Sequence, residues 1–309
     1  MPDYFAPLAD RLRITEATDA VAGLRRAQRG ATHALGAHFT LSREAALISM
    51  PTGTGKTAVL MLAPFLLRAN RALVITPSRM VRDQIAEEFA SLDSLKSLGV
   101  LPADIALPSV QSVESRIIQD EAWSELEQYD VVVTTPMGSS PALEGIPRPP
   151  QGLFDLLLVD EAHHSPARTW TALIEAFPAS RQILFTATPF RRDRRQLPGK
   201  FVYEFPLREA MNDGVFGTIE FVGCAPEEGV SNDIVIARRA QAVYRADRDE
   251  GLNHRLMVRT DSRTRATELR DIYEANTDLR LAIIHGQHTL RHVRRAVSQL
   301  REGTLDGII

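Results

Sequence analysis

The residues Met50-Pro51-Thr52-Gly53-Thr54-Gly55-Lys56-Thr57 carry the most specific chemistry in this 309-residue chain. They follow the apolar run Ala46–Ser49 and open the helical stretch Ala58–Arg68, the strand, loop and helix setting that a phosphate-binding loop requires. Glycines let successive backbone N–H groups converge on phosphate oxygens, and the helix N-terminus adds its dipole. Lys56 can reach the β- and γ-phosphates of ATP, and the Thr57 hydroxyl can ligate Mg²⁺. Thr52, Gly53, Thr54, Gly55, Lys56 and Thr57 are therefore the candidate nucleotide cradle. One position departs from the usual pattern: Met50 stands where such loops begin with glycine.

A second cluster lies further along. Leu156-Leu157-Leu158-Val159 is apolar at successive positions, as in a strand buried on both faces, which leaves Asp160 and Glu161 projecting from its tip. Two carboxylates there can divide the acidic work of nucleotide hydrolysis. Asp160 would hold the Mg²⁺ hydration shell, and Glu161 would polarise the attacking water. Taken alone, the same residues also fit a strand running into a helix N-cap; the Gly-Lys-Thr loop upstream is what gives the pair its chemical reading. His163 and His164 are sequence neighbours that would point apart on a helix, so no metal site is expected from them.

Such groups need a rigid frame. The short runs Ala46–Ser49, Ala72–Ile75, Val131–Thr134, Leu156–Val159 and Ile183–Phe185 alternate with helical patterns. This predicts an α/β fold, a parallel sheet with helices on both faces. Polar or Gly/Pro residues follow each run, and in open α/β sheets ligands sit beyond the carboxyl ends of the strands. From Phe201 to Gly229 the pattern is irregular, which places a boundary near 225–231 and gives a first domain at 1–228 and a second α/β unit at 229–309. In the second, helices are expected near Asp233–Asp249, Arg263–Glu274 and Thr289–Glu302. Its strands are expected at Arg255–Val258, Leu279–Ile284 and from Asp306 onward.

In chain order, Gln28, Gly-Lys-Thr, Thr76-Pro77-Ser78-Arg79, Thr135-Pro136, Asp-Glu-Ala-His and Thr186-Ala187-Thr188 resemble the motif succession of superfamily 2 helicases and translocases. The phosphate loop and the run Thr186 to Asp193 are similar to the DEAD/DEAH-like branch related to restriction-enzyme motor subunits and DNA-repair helicases. The resemblance extends from Leu24 to the last residue. It implies a RecA-like first domain and part of a second RecA-like domain. It implies that Arg25 and Gln28 read adenine, although polar positions of an amphipathic helix would look the same. It implies that Thr76, Pro77, Ser78, Arg79, Thr135 and Pro136 grip a nucleic-acid backbone, with ordinary strand-to-helix turns as the alternative; hydroxyls and loop N–H groups contact phosphate without reading bases. His163, Thr186 and Thr188 would couple hydrolysis to domain movement. Arg191, Arg192, Arg194, Arg195 and Lys200 would neutralise phosphates or form a solvated charged loop. Leu256–Thr260 and Ile283–Gly286 look like the opening motifs of the second motor domain. The family's later arginine-bearing motif is not found before Ile309, so a truncated chain with low turnover by itself is expected, with a nuclease or specificity domain or subunit outside these residues.

Composition bounds the reading. A net charge of −3 gives no reason of its own to expect nucleic acid, but residues 1–230 are net acidic and 231–309 net basic. A single cysteine, Cys224, rules out an internal disulfide and any Cys-cluster metal site. The longest uncharged apolar stretch, Thr57–Leu67, contains Pro64 and is shorter than the ~18 residues of a membrane span. Nothing in Met1–Arg13 reads as a secretory signal, and the cytoplasm is the expected compartment. The expected function is a nucleic-acid-dependent ATPase motor using ATP and Mg²⁺, with DNA favoured over RNA. The alternatives are a nucleotide-gated binding module without turnover, and a P-loop kinase or transport ATPase.

Overall fold

A computed structural model describes residues 4–18, 22–165, 167–188, 198–217 and 220–309. The backbone divides into two compact units, Met1–Gly217 and Thr218–Ile309.

The first unit is built on a seven-stranded sheet of β1 (Ala46–Ser49), β2 (Ala72–Ile75), β3 (Val110–Ser112), β4 (Val131–Thr134), β5 (Leu156–Val159), β6 (Arg181–Thr186) and β7 (Lys200–Glu204). Its order is β3-β4-β2-β5-β6-β1-β7, and every pairing is parallel. This is a RecA-like α/β fold. Side chains alternate along each strand, so the sheet divides its apolar residues between two cores. Ile48, Val74, Val133, Leu158 and Phe185 meet helices Arg26–Leu41 and Lys56–Leu66 on one face. Leu47, Leu73, Val132, Leu157 and Leu184 meet Trp123, Trp170, Phe154 and Phe177 on the other. Two covered faces are the physical reason these strands read as unbroken apolar runs.

The two edge strands lack that signature. β3 is only partly buried along its length, and β7 is exposed at Lys200, Phe201 and Glu204 and half-buried at Val202 and Tyr203. The stretch from Phe201 that looks irregular in sequence in fact holds most of β7 and the helix Leu207–Asn212. β7 comes close to helix Arg26–Leu41 because Gly30 has no side chain; a Cβ there would lie 2.4 Å from the Tyr203 hydroxyl.

The second unit has a smaller frame. Its strands β8 (Leu256–Met257), β9 (Leu281–Ala282) and β10 (Gly307–Ile308) form a parallel sheet of order β8-β10-β9. Helices Asn232–Asp249, Arg263–Asn276 and Leu290–Glu302 surround it, and each begins at a hydroxyl cap. Ser231, Ser262 and Thr289 accept from the backbone N–H groups of Asp233, Arg265 and His292, satisfying donors that a helix start leaves unpaired. The buried apolar groups are few: Ala237, Tyr273 and Leu279 in one cluster, Ala266, Leu269 and Ile309 in another. Among the described residues no helix is long and apolar enough to cross a membrane.

Candidate functional site

β1 passes the chain to Met50, whose N–H donates to the Thr186 carbonyl at 2.9 Å and so continues the pairing of β1 with β6. The Met50 side chain is fully buried in the core, so at this position the thioether is a packing group. The loop then closes on itself through Thr54, also fully buried, whose hydroxyl donates to the Pro51 carbonyl at 2.6 Å. Gly53 and Gly55 both sit at φ +85°, where a side chain is strained. Gly55 is excluded from substitution twice over, because a Cβ on it would lie 2.1 Å from Gln28 Nε2. Thr52 and Thr57 are exposed at the loop and at the first turn of helix Lys56–Leu66.

Arg25 and Gln28 hold this loop from behind. The Gln28 carboxamide is 3% exposed; its Oε1 accepts from the Arg25 backbone N–H at 2.8 Å and its Nε2 donates to the Gly55 carbonyl at 3.2 Å. The Arg25 guanidinium donates to the Gly53 carbonyl at 3.1 Å. The side chains singled out in sequence as base-reading thus fix both glycines of the loop.

β5 delivers the two carboxylates. Its last residue is followed by Asp160, whose N–H donates to the Ile75 carbonyl of β2 at 2.9 Å. In the sheet β6 lies between β5 and β1, which separates the loop from the acids by two strand spacings, about 10 Å. Lys56 spans the gap: its Nζ is 2.7 Å from Glu161 Oε1 and 3.7 Å from Asp160 Oδ1. Burial raises the pKa of Asp160 above the ordinary carboxylate value, while the neighbouring Lys56 ammonium pulls it back down. Glu161 adopts a left-handed backbone, φ 51° and ψ 50°, which for a residue with a side chain costs about 1–3 kcal/mol.

The contacts continue outward from Glu161. Its Oε2 is 3.2 Å from His163 Nδ1, and His163 Nδ1 is 3.4 Å from the Thr186 hydroxyl. Thr186 is fully buried and its hydroxyl accepts from the Thr188 N–H at 3.1 Å. One side-chain path therefore runs from the phosphate loop through the acids to the end of β6. The rings of His163 and His164 do not point apart as a regular helix would have them: in the tight turn Ala162–His164 their centroids are 4.3 Å apart, and His164 also stacks on Trp170. No group of three potential metal ligands occurs among the described residues.

The residues expected to grip a backbone are differently disposed. Thr76 is buried, and its hydroxyl donates to the Thr134 carbonyl at 3.1 Å, tying β2 to β4. Pro77 is half-buried, whereas Ser78 and Arg79 are exposed, and the Ser78 hydroxyl caps helix Arg79–Ser91. Thr135 and Pro136 are buried at the start of the short helix Pro136–Ser139. Lys200 is exposed on β7; Arg191, Arg192, Arg194 and Arg195, with Pro189, Phe190 and Asp193, lie outside the described residues. Two structural groups carry no sequence signal. Arg82 is 5% exposed and donates to the Val113 carbonyl at 2.6 Å, holding the segment after β3. Arg26 reaches Glu209 and Asp213 beyond β7.

Comparison with known proteins adds to this geometry. A family described as the type III restriction enzyme res subunit matches residues 22–191. A putative helicase of a Sulfolobus islandicus filamentous virus (isolate Iceland/Hveragerdi) is 32% identical over 78 residues, which is 24% of this chain and 14% of that relative. The match thus spans about a seventh of that curated relative's length. Among solved structures, S. cerevisiae Dbp5 bound to RNA and ADP BeF3 superposes with a TM-score of 0.53 at 16% identity, covering 93% of this chain and 74% of that one. A variant of the same protein bound to the same ligands gives a TM-score of 0.52.

Proposed function

The chain belongs to the family of the type III restriction enzyme res subunit and is superfamily 2 helicase-like; from that premise we propose that it is the ATP-hydrolysing part of a motor that acts on nucleic acid, with DNA as the strand. The observation that carries this is the placement of Lys56 against Glu161 and Asp160 across β6, beside a glycine loop already fixed by Arg25 and Gln28. The residues present fit MgATP. Side chains are excluded at Gly53 and Gly55, so the backbone can approach phosphate. The exposed Thr57 hydroxyl and the Asp160 carboxylate supply the oxygen donors that Mg²⁺ prefers. Bound Mg²⁺ would neutralise charge on the phosphate oxygens.

Lys56 would then exchange its carboxylate partner for phosphate, which frees Glu161 to accept a proton from water. Gln28, held by two hydrogen bonds, retains one N–H and one lone pair for the base. His163, Thr186 and Thr188 would carry the change in Glu161 to the end of β6. The exposed Ser78 and Arg79, with the loop at Thr135 and Pro136 and the buried Thr76 behind them, form the proposed nucleic-acid edge. Residues 229–309, within the second compact unit, would supply the opening part of the second motor domain. DNA is preferred because the matching family is that of a restriction enzyme subunit; the Dbp5 structure holds RNA, but at 16% identity its likeness to this chain is one of fold alone.

Calorimetry with a non-hydrolysable ATP analogue tests the reading. Lys56→Ala should weaken MgATP-analogue binding by at least about tenfold, the range for one charge-assisted contact. Equal affinity in the two proteins overturns it. In the assembly that hydrolyses ATP, stimulation by duplex DNA and not by RNA of the same sequence is expected; binding without turnover would instead favour the nucleotide-gated module.

A further inference from the structure

Beyond β7 the chain returns to the phosphate loop. Helix Leu207–Asn212 ends in a paired closure in which the Gly214 N–H donates to the Met211 carbonyl at 3.0 Å and the Val215 N–H to the Ala210 carbonyl at 3.0 Å. Gly214 takes φ +68° there, the left-handed conformation this helix ending needs. The closure turns the chain back, so that Val215 and Phe216 pack on the first core and Val215 faces the loop. A Cβ at Gly53 would lie 3.1 Å from Val215 Cγ1. Gly53 is thus held on two sides, with its carbonyl on the Arg25 guanidinium and its Cα against the Val215 methyl.

The same segment is anchored at its base. Arg26 lies one residue from Arg25 and two from Gln28, and its guanidinium pairs with Asp213 at 3.1 Å and with Glu209, while lying 5.3 Å above the ring of the buried Phe205. The helix that supplies Arg25 and Gln28 to the loop therefore also holds the segment that presses on it.

We infer that Leu207–Phe216 is a strap over the phosphate loop and that Val215 is a positioning residue for nucleotide binding, acting through Gly53. The inference rests on the nucleotide reading above. A loop whose N–H groups already converge gives up less conformational freedom when phosphate arrives, and Val215 restricts a glycine, the residue type with the widest choice of conformations. The strap is also the last segment of the first unit, which ends at Gly217. Displacement of Gly53 by phosphate would accordingly be felt where the chain leaves that unit.

The test uses the 309-residue chain with Val215→Ala, Val215→Ile and Arg26→Ala, and Lys56→Ala as control. Hydrogen exchange without nucleotide is read over residues 50–57 and, for comparison, over β5. Affinity for the non-hydrolysable ATP analogue is read by calorimetry. Val215→Ala should speed exchange in the loop but not in β5 and weaken the analogue by about three- to tenfold, the scale of losing one or two buried methyl contacts. Val215→Ile should retain wild-type behaviour, and Arg26→Ala, a change at a half-exposed side chain, should act in the same direction as Val215→Ala. Unchanged loop exchange and affinity in Val215→Ala and Arg26→Ala, with binding lost in Lys56→Ala, overturns the strap. Unimpaired binding in Lys56→Ala overturns the nucleotide reading itself, and the strap's role with it.

Discussion

The two units use their polar groups differently. In the first, Arg25, Gln28, Lys56, Asp160 and Glu161 converge on one loop, and each is held by strands or helices whose apolar faces are fully buried. In the second, charged residues pair along exposed helices, with Arg265 on Asp233, Arg245 on Asp278 and Arg270 on Asp271. The difference shows what a deep frame contributes. A two-faced core lets ionisable groups be carried into partial burial at fixed separations, whereas a two-residue strand can only be tied at its rim. Asp306, next to β10, is the exception in the second unit. It accepts from the Arg280 side chain and backbone and from the Tyr244 hydroxyl.

The contrast is most sharply tested at Glu161. In an assembly that hydrolyses ATP, Glu161→Gln should lower turnover by roughly 10²-fold or more, the range for loss of a general base, while MgATP binding persists. Steady-state ATPase with calorimetry measures both. Turnover at the wild-type rate would remove Glu161 from the chemistry. Asp160→Asn should instead weaken the Mg²⁺-dependent part of binding.

A second measurement addresses the frames. Both tryptophans, Trp123 and Trp170, belong to the first unit, so their fluorescence reports on it alone, while far-ultraviolet dichroism reports on helices of both. In urea the dichroism should begin to fall at least about 1 M before the fluorescence changes, within the usual range of denaturant slopes. Coincident curves would mean that the two frames are equally stable.

The smallest effect expected is at Asp306. Burial would raise its pKa, but hydrogen bonds from Arg280 and Tyr244 outweigh that and bring it down to about 2. A depressed carboxylate contributes stability that is complete above its unfolded value of about 4 and is lost as pH falls toward 2. That contribution is on the order of 2 kcal/mol. Asp306→Asn should therefore destabilise the second unit at pH 7 and flatten its acid unfolding between pH 4 and 2, followed by dichroism. An unchanged acid profile would show that the Arg280 and Tyr244 contacts do not persist in solution.

Legibility in the sequence followed burial. The residue ranges of β1, β2, β4 and β5 can be read directly from the chain, because three or four apolar residues in succession, closed by a small hydroxyl residue in β1 and β4, satisfy two covered faces. Val110-Gln111-Ser112 cannot, since an edge strand needs neither face continuously apolar. β7 hides for the same reason, behind an exposed Lys200 and Phe201. In the candidate site, the loop and the paired acids announce themselves through residue types that few other settings require. The hold of Arg26 and Val215 does not, because it joins residues far apart in the chain, Arg26 to Asp213 and Gly53 to Val215, that only the fold brings together. Thr76 shows a further limit. The sequence locates a hydroxyl at a strand end, but whether it faces outward or donates to Thr134 depends on neighbouring β4.

The left-handed backbone at Glu161 bears on how this chain would change under selection. Glycine or asparagine relieves such a conformation at little cost, so a population screened only for heat tolerance has a ready improvement in Glu161→Gly or Glu161→Asn. Either change would remove the carboxylate facing Lys56 while leaving a better-behaved protein. Thermostability campaigns on this chain thus need an activity filter at that codon from the first round, because here the direction of greater robustness and the direction of lost chemistry coincide.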